Sequence, residues 1–254
     1  MTTVAVVRNE ARIAKRDPLP IVVLVLMPAI LMVLLAPALQ LALAAEGNAG
    51  ASGGDQAVPG MVSVFSFFGV AFVGFAIFRE HGWHTWARLR AVGLTPPQLV
   101  LGKVALPALM LVVQHVLLFG FGAAFLDLRV TGSWLAVAAT SVALIALVVC
   151  LGLAAAAALQ TVAQLNAVTN VGVMVLGGLG GGFVPVSTLP TWIQPLAPIS
   201  PVYWSMRGYR AAILDGGGLA AVALPCAVLL AGAVVAAVFA AAKLQADAPK
   251  RTWG

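Results

Sequence analysis

Charge is what this sequence has least of. Only 9% of its 254 residues are Asp, Glu, Lys or Arg, against 62% hydrophobic residues. A soluble domain carries about 25% charge, so a chain this poor in polar side chains cannot cover itself for water. Disorder is excluded as well, since it requires low hydrophobicity and high charge. Cysteine is scarce too. Cys150 and Cys226 both sit inside apolar runs, where a thiol acts as a small hydrophobe; neither a disulfide nor a metal site is expected. A nucleotide-binding phosphate loop is missing: the sole Gly-Lys pair, Gly102-Lys103, has Pro97 where the first Gly of that motif belongs and Val104 where Ser or Thr belongs. No HExxH pattern occurs, and the expected span interiors hold no carboxylate. That argues against an ion-coupled carrier, which keeps ionisable groups near the midplane. The one ionisable group well inside a span is His115, beside Gln114; hydrogen bonding within the bundle is a more economical role for it than carrying protons.

What is present is a set of six apolar stretches, each long enough for a bilayer core of about 30 Å. They lie near 19–44, 61–78, 99–125, 134–159, 165–183 and 219–241. The fold expected is an all-α membrane protein with six transmembrane helices in a single domain over 1–254. No cleavable secretory signal is expected at the amino end. The stretch 46–60 reads as a flexible polar loop and 160–166 as a tight uncharged one. Between 184 and 218, five prolines exclude a single helix; with Trp192, Tyr203 and Trp204 the segment suits short helices or a re-entrant hairpin at the membrane interface.

The basic residues are distributed unevenly. Arg8, Arg12, Lys15, Arg16, Arg79, Arg88, Arg90, Lys103, Lys243, Lys250 and Arg251 fall on one face, and Arg129, Arg207 and Arg210 on the other. The positive-inside rule therefore places both termini in the cytoplasm, and the net charge of +6 reflects topology rather than affinity for nucleic acid. All six Trp residues, at 83, 86, 134, 192, 204 and 253, fall at span ends or in loops, as in an aromatic belt. Residues 3–17 place Val4, Val7 and Ala11 on one face and basic residues opposite, which suits an amphipathic interfacial helix.

Residues 79–103, REHGWHTWARLRAVGLTPPQLVLGK, carry most of the internal charge. They read as a span end, a short helix over His84–Val92, a Pro-Pro break and a new span. Such a helix either docks into a groove on a partner protein or lies on the membrane surface. Along the second span, Phe65, Phe68, Phe72 and Phe75 recur at helical spacing, with Ser66 nearby. That stripe either walls a cavity for an apolar substrate or packs against neighbouring spans. Thr169 and Asn170 lie early in the fifth span, where the buried Asn170 amide either hydrogen-bonds between helices or faces a cavity. Gly177, Gly178, Gly181, Gly182 and Pro185 suit a hinge or break forming part of an outer gate.

In this order the sequence resembles the ABC-2 family of ATP-binding-cassette transporter permeases. The family pattern RE-x-G-T-x-x-x-L after the second span is matched by Arg79-Glu80, Gly82, Thr85, Trp86, Arg88 and Leu89, with Trp83 and His84 inserted before Thr85; Pro96 or Pro97 and Gly102-Lys103 follow in order. A second pattern is matched by Phe183, Pro185, Leu189-Pro190, Trp192 and Pro198-Ile199-Ser200-Pro201. The resemblance implies that a second permease, identical or related, pairs with this chain and that separate ATP-binding subunits dock beneath. The chain would hold no cofactor of its own, ATP being bound by the partner. Arg79, Glu80, Gly82, Thr85, Trp86, Arg88, Leu89 and Arg90 would form the coupling element. It also implies export of a hydrophobic drug, antibiotic or lipid-like molecule across a plasma membrane, of the bacterial inner-membrane kind. Outside the resemblance stand a non-transporting membrane scaffold or sensor and, less favoured, an ion-coupled carrier.

Overall fold

The computed structural model describes residues 19–82 and 96–243. Their regular structure is entirely helical, with no strand among the described residues. Eight α-helices appear in chain order: α1 Leu19–Ala45, α2 Gly54–Ser66, α3 Gly69–Gly82, α4 Pro96–Phe125, α5 Trp134–Ala158, α6 Val162–Leu179, α7 Pro201–Ile213 and α8 Leu219–Lys243. Two short 3-10 turns, Val186–Thr188 and Gln194–Ile199, precede α7. By length and composition six segments can cross a membrane, α2 and α3 together forming the second. The amino-terminal segment, residues 83–95 and the carboxyl tail lie outside the described residues, and with them the expected interfacial helix and coupling helix.

Helix starts are set by local chemistry. The Ser133 hydroxyl accepts from the Leu135 N–H (3.2 Å) at the head of α5, and Thr161 accepts from Gln164 N–H (3.1 Å) at the head of α6. The Gln164 carboxamide in turn accepts from Gln160 N–H (2.9 Å), one residue before the cap. This is why the fifth span begins at Val162, inside the stretch 160–166 expected to be a loop: uncharged polar residues there serve as a cap. Ser200 caps α7 through the Val202 N–H (3.2 Å), with Pro201 in the first helical position.

The second span is the centre of the bundle. In its most apolar window 78% of residues are buried, against 22% for the first and the fifth. α2 packs on α1, α4, α6 and α7, and α3 on α4, α5 and α6, while α8 lies along α5. The second span also corrects an expectation. It starts at Gly54, so residues 54–60 form buried helix and not part of a flexible polar loop. Their polar side chains are tied to backbone groups: Asp55 accepts from Ser52 N–H (2.8 Å) and Arg129 N–H (3.0 Å), and Gln56 donates from Nε2 to the Gly181 carbonyl (3.1 Å).

Close approach of backbones explains the glycine at 60. A Cβ there would lie 2.2 Å from the Gly182 carbonyl oxygen, which is main chain and cannot swing aside. Gly60→Ala is expected to destabilise the protein by about 1–2 kcal/mol, as overpacking of a fitted core does; a thermal melt of the purified protein in detergent checks it.

Candidate functional site

Within the membrane, the helix break between α2 and α3 meets the carboxyl-terminal half of α5, the middle of α6 and Phe239 of α8. The break is a run of i→i+3 bonds: Phe67 N–H to Val64 O (3.2 Å), Phe68 N–H to Phe65 O (3.2 Å) and Val70 N–H to Phe67 O (3.1 Å). Small residues on α5, Ala154, Ala155 and Ala158, leave space opposite it. The result is an apolar groove of about 340 Å3, also lined by Phe67, Val70, Thr169 and Gly172. Thr169 supplies its only polar side chain. It is 5% exposed, and its Oγ1 has no hydrogen-bond partner among the described residues. A hydroxyl left unpaired in an apolar setting favours any ligand group that pairs with it. This groove suits an apolar molecule with one hydrogen-bonding group.

The phenylalanine stripe is divided by the same break. Phe65 is buried in the main core, 5.5 Å ring to ring from half-buried Phe68. Phe72 is half-buried, and Phe75 packs with a separate cluster of Ile77, Phe78, Ala156 and Leu165. Four residues at 3.6-residue spacing share a face only if the helix is uninterrupted; the tightened turn shifts the phase. Phe67 faces the groove instead. Ser66 is buried and bonds back to its own turn at Val62 O (2.6 Å). Asn170 is exposed on the bundle's outside, while its neighbour Thr169 faces the groove. Gln114 is fully buried with no side-chain partner among the described residues, and His115 donates from Nδ1 to the Leu111 carbonyl (2.8 Å).

Of the residues expected to form a coupling element, Arg79, Glu80 and Gly82 occupy the last turns of α3. Thr85, Trp86, Arg88, Leu89 and Arg90 lie outside the described residues.

At the end of the bundle that the charge pattern assigns to the outside, the loops are bonded together. Thr131 donates to the Ile213 carbonyl (2.7 Å), Ser52 to that of Leu126 (3.3 Å), and Gly132 N–H to that of Ala212 (3.0 Å). α6 ends in a Schellman-type turn: Gly181 adopts φ +81° and Gly182 N–H bonds to Gly177 O (2.9 Å). Gly177 and Gly182 press against Val64 of α2, while Gly178 has open space around it and Pro185 is buried. These glycines thus permit a helix end to seat tightly on α2.

Beside this seam opens a polar cleft of about 330 Å3. Arg210 of α7 donates to Glu46 Oε2 at 2.6 Å, and Ser187 donates to Glu46 Oε1. Burial pushes the Glu46 carboxyl up, but the hydrogen bonds from Arg210 and Ser187 and the Arg210 charge outweigh it and hold it below the usual carboxylate range. The end of α1, the 3-10 turn at 186–188 and α7 are joined through this one carboxylate. Sequence reading left Glu46 aside; the signal was an arginine, Arg210, on the face where basic residues are few. Among the described residues no group of three or more His, Cys, Asp or Glu is placed to hold a metal.

The fold defines a multi-pass helical membrane protein, and the walls of the groove at Phe67 and Thr169 hold no acid or base. The family model of the ABC-2 type transporters matches residues 2–214, and the chain belongs to that family. Among curated proteins there is no match.

Proposed function

We propose that this chain is the membrane-spanning permease subunit of an ATP-driven exporter. In this reading it pairs with a second permease, takes its energy from a separate ATP-binding subunit, and moves a hydrophobic drug, antibiotic or lipid-like molecule out of the cell, in a bacterial inner membrane. The observation that carries the reading is the apolar groove at Phe67, Thr169 and Gly172: it offers binding without chemistry, in a family of transporters. The sequence has no phosphate loop of its own, so work must enter from outside the chain. The family-like element at 79–90, with the amino-terminal amphipathic segment, is where a docked ATPase would take hold. The substrate would reach the groove from the bilayer, since Val168, on its rim, is 54% exposed.

Co-expression with an ATP-binding subunit tests this. Inverted vesicles carrying both are expected to accumulate a hydrophobic dye only with ATP. Glu80→Ala and Arg88→Glu are expected to leave the complex assembled but to abolish substrate stimulation of ATP hydrolysis. ATP-independent uptake driven by a proton gradient would overturn the reading.

A further inference from the structure

The outer cleft carries charges that its own fold does not balance. Glu46 and Arg210 neutralise each other. Arg207 and Asp215 also line the cleft, and neither makes an ion pair with a described residue. Arg207 precedes Arg210 by one turn of α7, and its guanidinium carbon stands 5.6 Å from the centroid of the Trp204 ring. Asp215 follows the end of the same helix. The cleft therefore presents one unmatched cation and one unmatched anion beside a neutral pair. Gln56 lines it as well; with Nε2 committed to Gly181 O, its Oε1 has no partner among the described residues. Trp192, 73% exposed, and the edge-to-face pair Tyr203–Trp204 lie in the same segment, marking the depth of lipid headgroups.

We propose that this cleft binds a zwitterionic phosphoethanolamine-type headgroup, with the phosphate at Arg207 and the ammonium at Asp215. A purely anionic ligand would meet Arg207 but be repelled by Asp215, and a purely cationic one the reverse; a ligand carrying both signs satisfies both. Guanidinium groups bind phosphate oxygens through paired hydrogen bonds, and a primary ammonium donates to a carboxylate. A volume of about 330 Å3 admits a headgroup, and Val186 and Met206 in its lining offer apolar contact to the first atoms of an attached acyl chain. The site is separate from the membrane groove and does not depend on the transport reading.

The test reconstitutes the full chain in nanodiscs of equal phosphatidylethanolamine and phosphatidylglycerol, extracts it into detergent and measures retained lipid by native mass spectrometry. Wild type is expected to keep the ethanolamine lipid in preference to the glycerol lipid. Arg207→Gln and Asp215→Asn are each expected to lower its retention about threefold, as one exposed charge-assisted contact does. Both side chains are exposed, so unchanged thermal midpoints are expected and confirm folding. Displacement of the lipid by millimolar free phosphoethanolamine would indicate a soluble ligand of the same chemistry; resistance would indicate the anchored lipid. Equal retention of the two lipids overturns the proposal. So does increased retention of either lipid in Asp215→Asn, the mark of a plain anion site.

Discussion

Replacing Gly172 with phenylalanine is expected to lower transport about tenfold or more while the protein stays folded. Gly172 lines the membrane groove, and a Cβ built on it meets nothing within 4 Å. The first carbon of a side chain there enters open space. The helix itself benefits, because glycine in a helix interior costs up to about 1 kcal/mol relative to better helix formers. The groove, of about 340 Å3, loses a large part of its room to the ring. A ligand deprived of about 1.4 kcal/mol of contacts binds tenfold less tightly. Three readings check the outcome: ATP-driven dye accumulation, the thermal midpoint in detergent, and copurification of the ATP-binding subunit. Loss of the first with the other two unchanged is the expected pattern. Full transport in Gly172→Phe would remove the groove from the substrate path.

Arg210→Gln is expected to destabilise the outer end of the bundle by about 3 kcal/mol. The Arg210–Glu46 pair is 2.6 Å apart, with side chains only 28% and 17% exposed. Breaking a largely buried pair costs more than the pair itself contributes, because the remaining charge keeps its desolvation penalty. For a chain of this size about 3 kcal/mol corresponds to a fall of roughly 6–12 °C in the thermal midpoint. The exchange Glu46→Arg with Arg210→Glu is expected to recover part of that loss, whereas two unrelated defects would add. The pH dependence has a definite sign. Because the folded carboxyl titrates below its usual range, its contribution is complete at neutral pH and down to the ordinary carboxylate pKa of about 4.3. It is lost only as pH falls further, through the folded value. The midpoint difference between wild type and Glu46→Gln should therefore stay constant from neutral pH to that point and shrink below it.

The two sites differ in how legible they were. Asn170 stood out beforehand as an amide in an apolar span, expected either to bond across helices or to face a cavity; the structure puts it on the outside of the bundle and turns its neighbour Thr169 to the groove, a one-residue difference in helical phase. The phenylalanine stripe read as continuous because periodicity assumes an unbroken helix, and a turn of i→i+3 bonds at Phe67–Phe68 leaves no mark in composition. Residues 54–60 read as loop because Gly, Asp and Gln are polar or flexible. Their burial depends on partners at Arg129 and Gly181, which lie 74 and 125 residues away along the chain. No local window contains that information.

By itself the sequence determined the class of this protein: helical, membrane-spanning, and related to the ABC-2 permeases by its motifs. These features are local. Span length is matched to bilayer thickness, orientation follows from counting basic residues in loops, and motifs are read in order along the chain. The tertiary structure alone decided which face of each span meets another, where the alanines of α5 leave a groove, and which carboxylate holds Arg210. Those outcomes depend on the phase and packing of helices distant in sequence, where a shifted turn redirects every side chain beyond it.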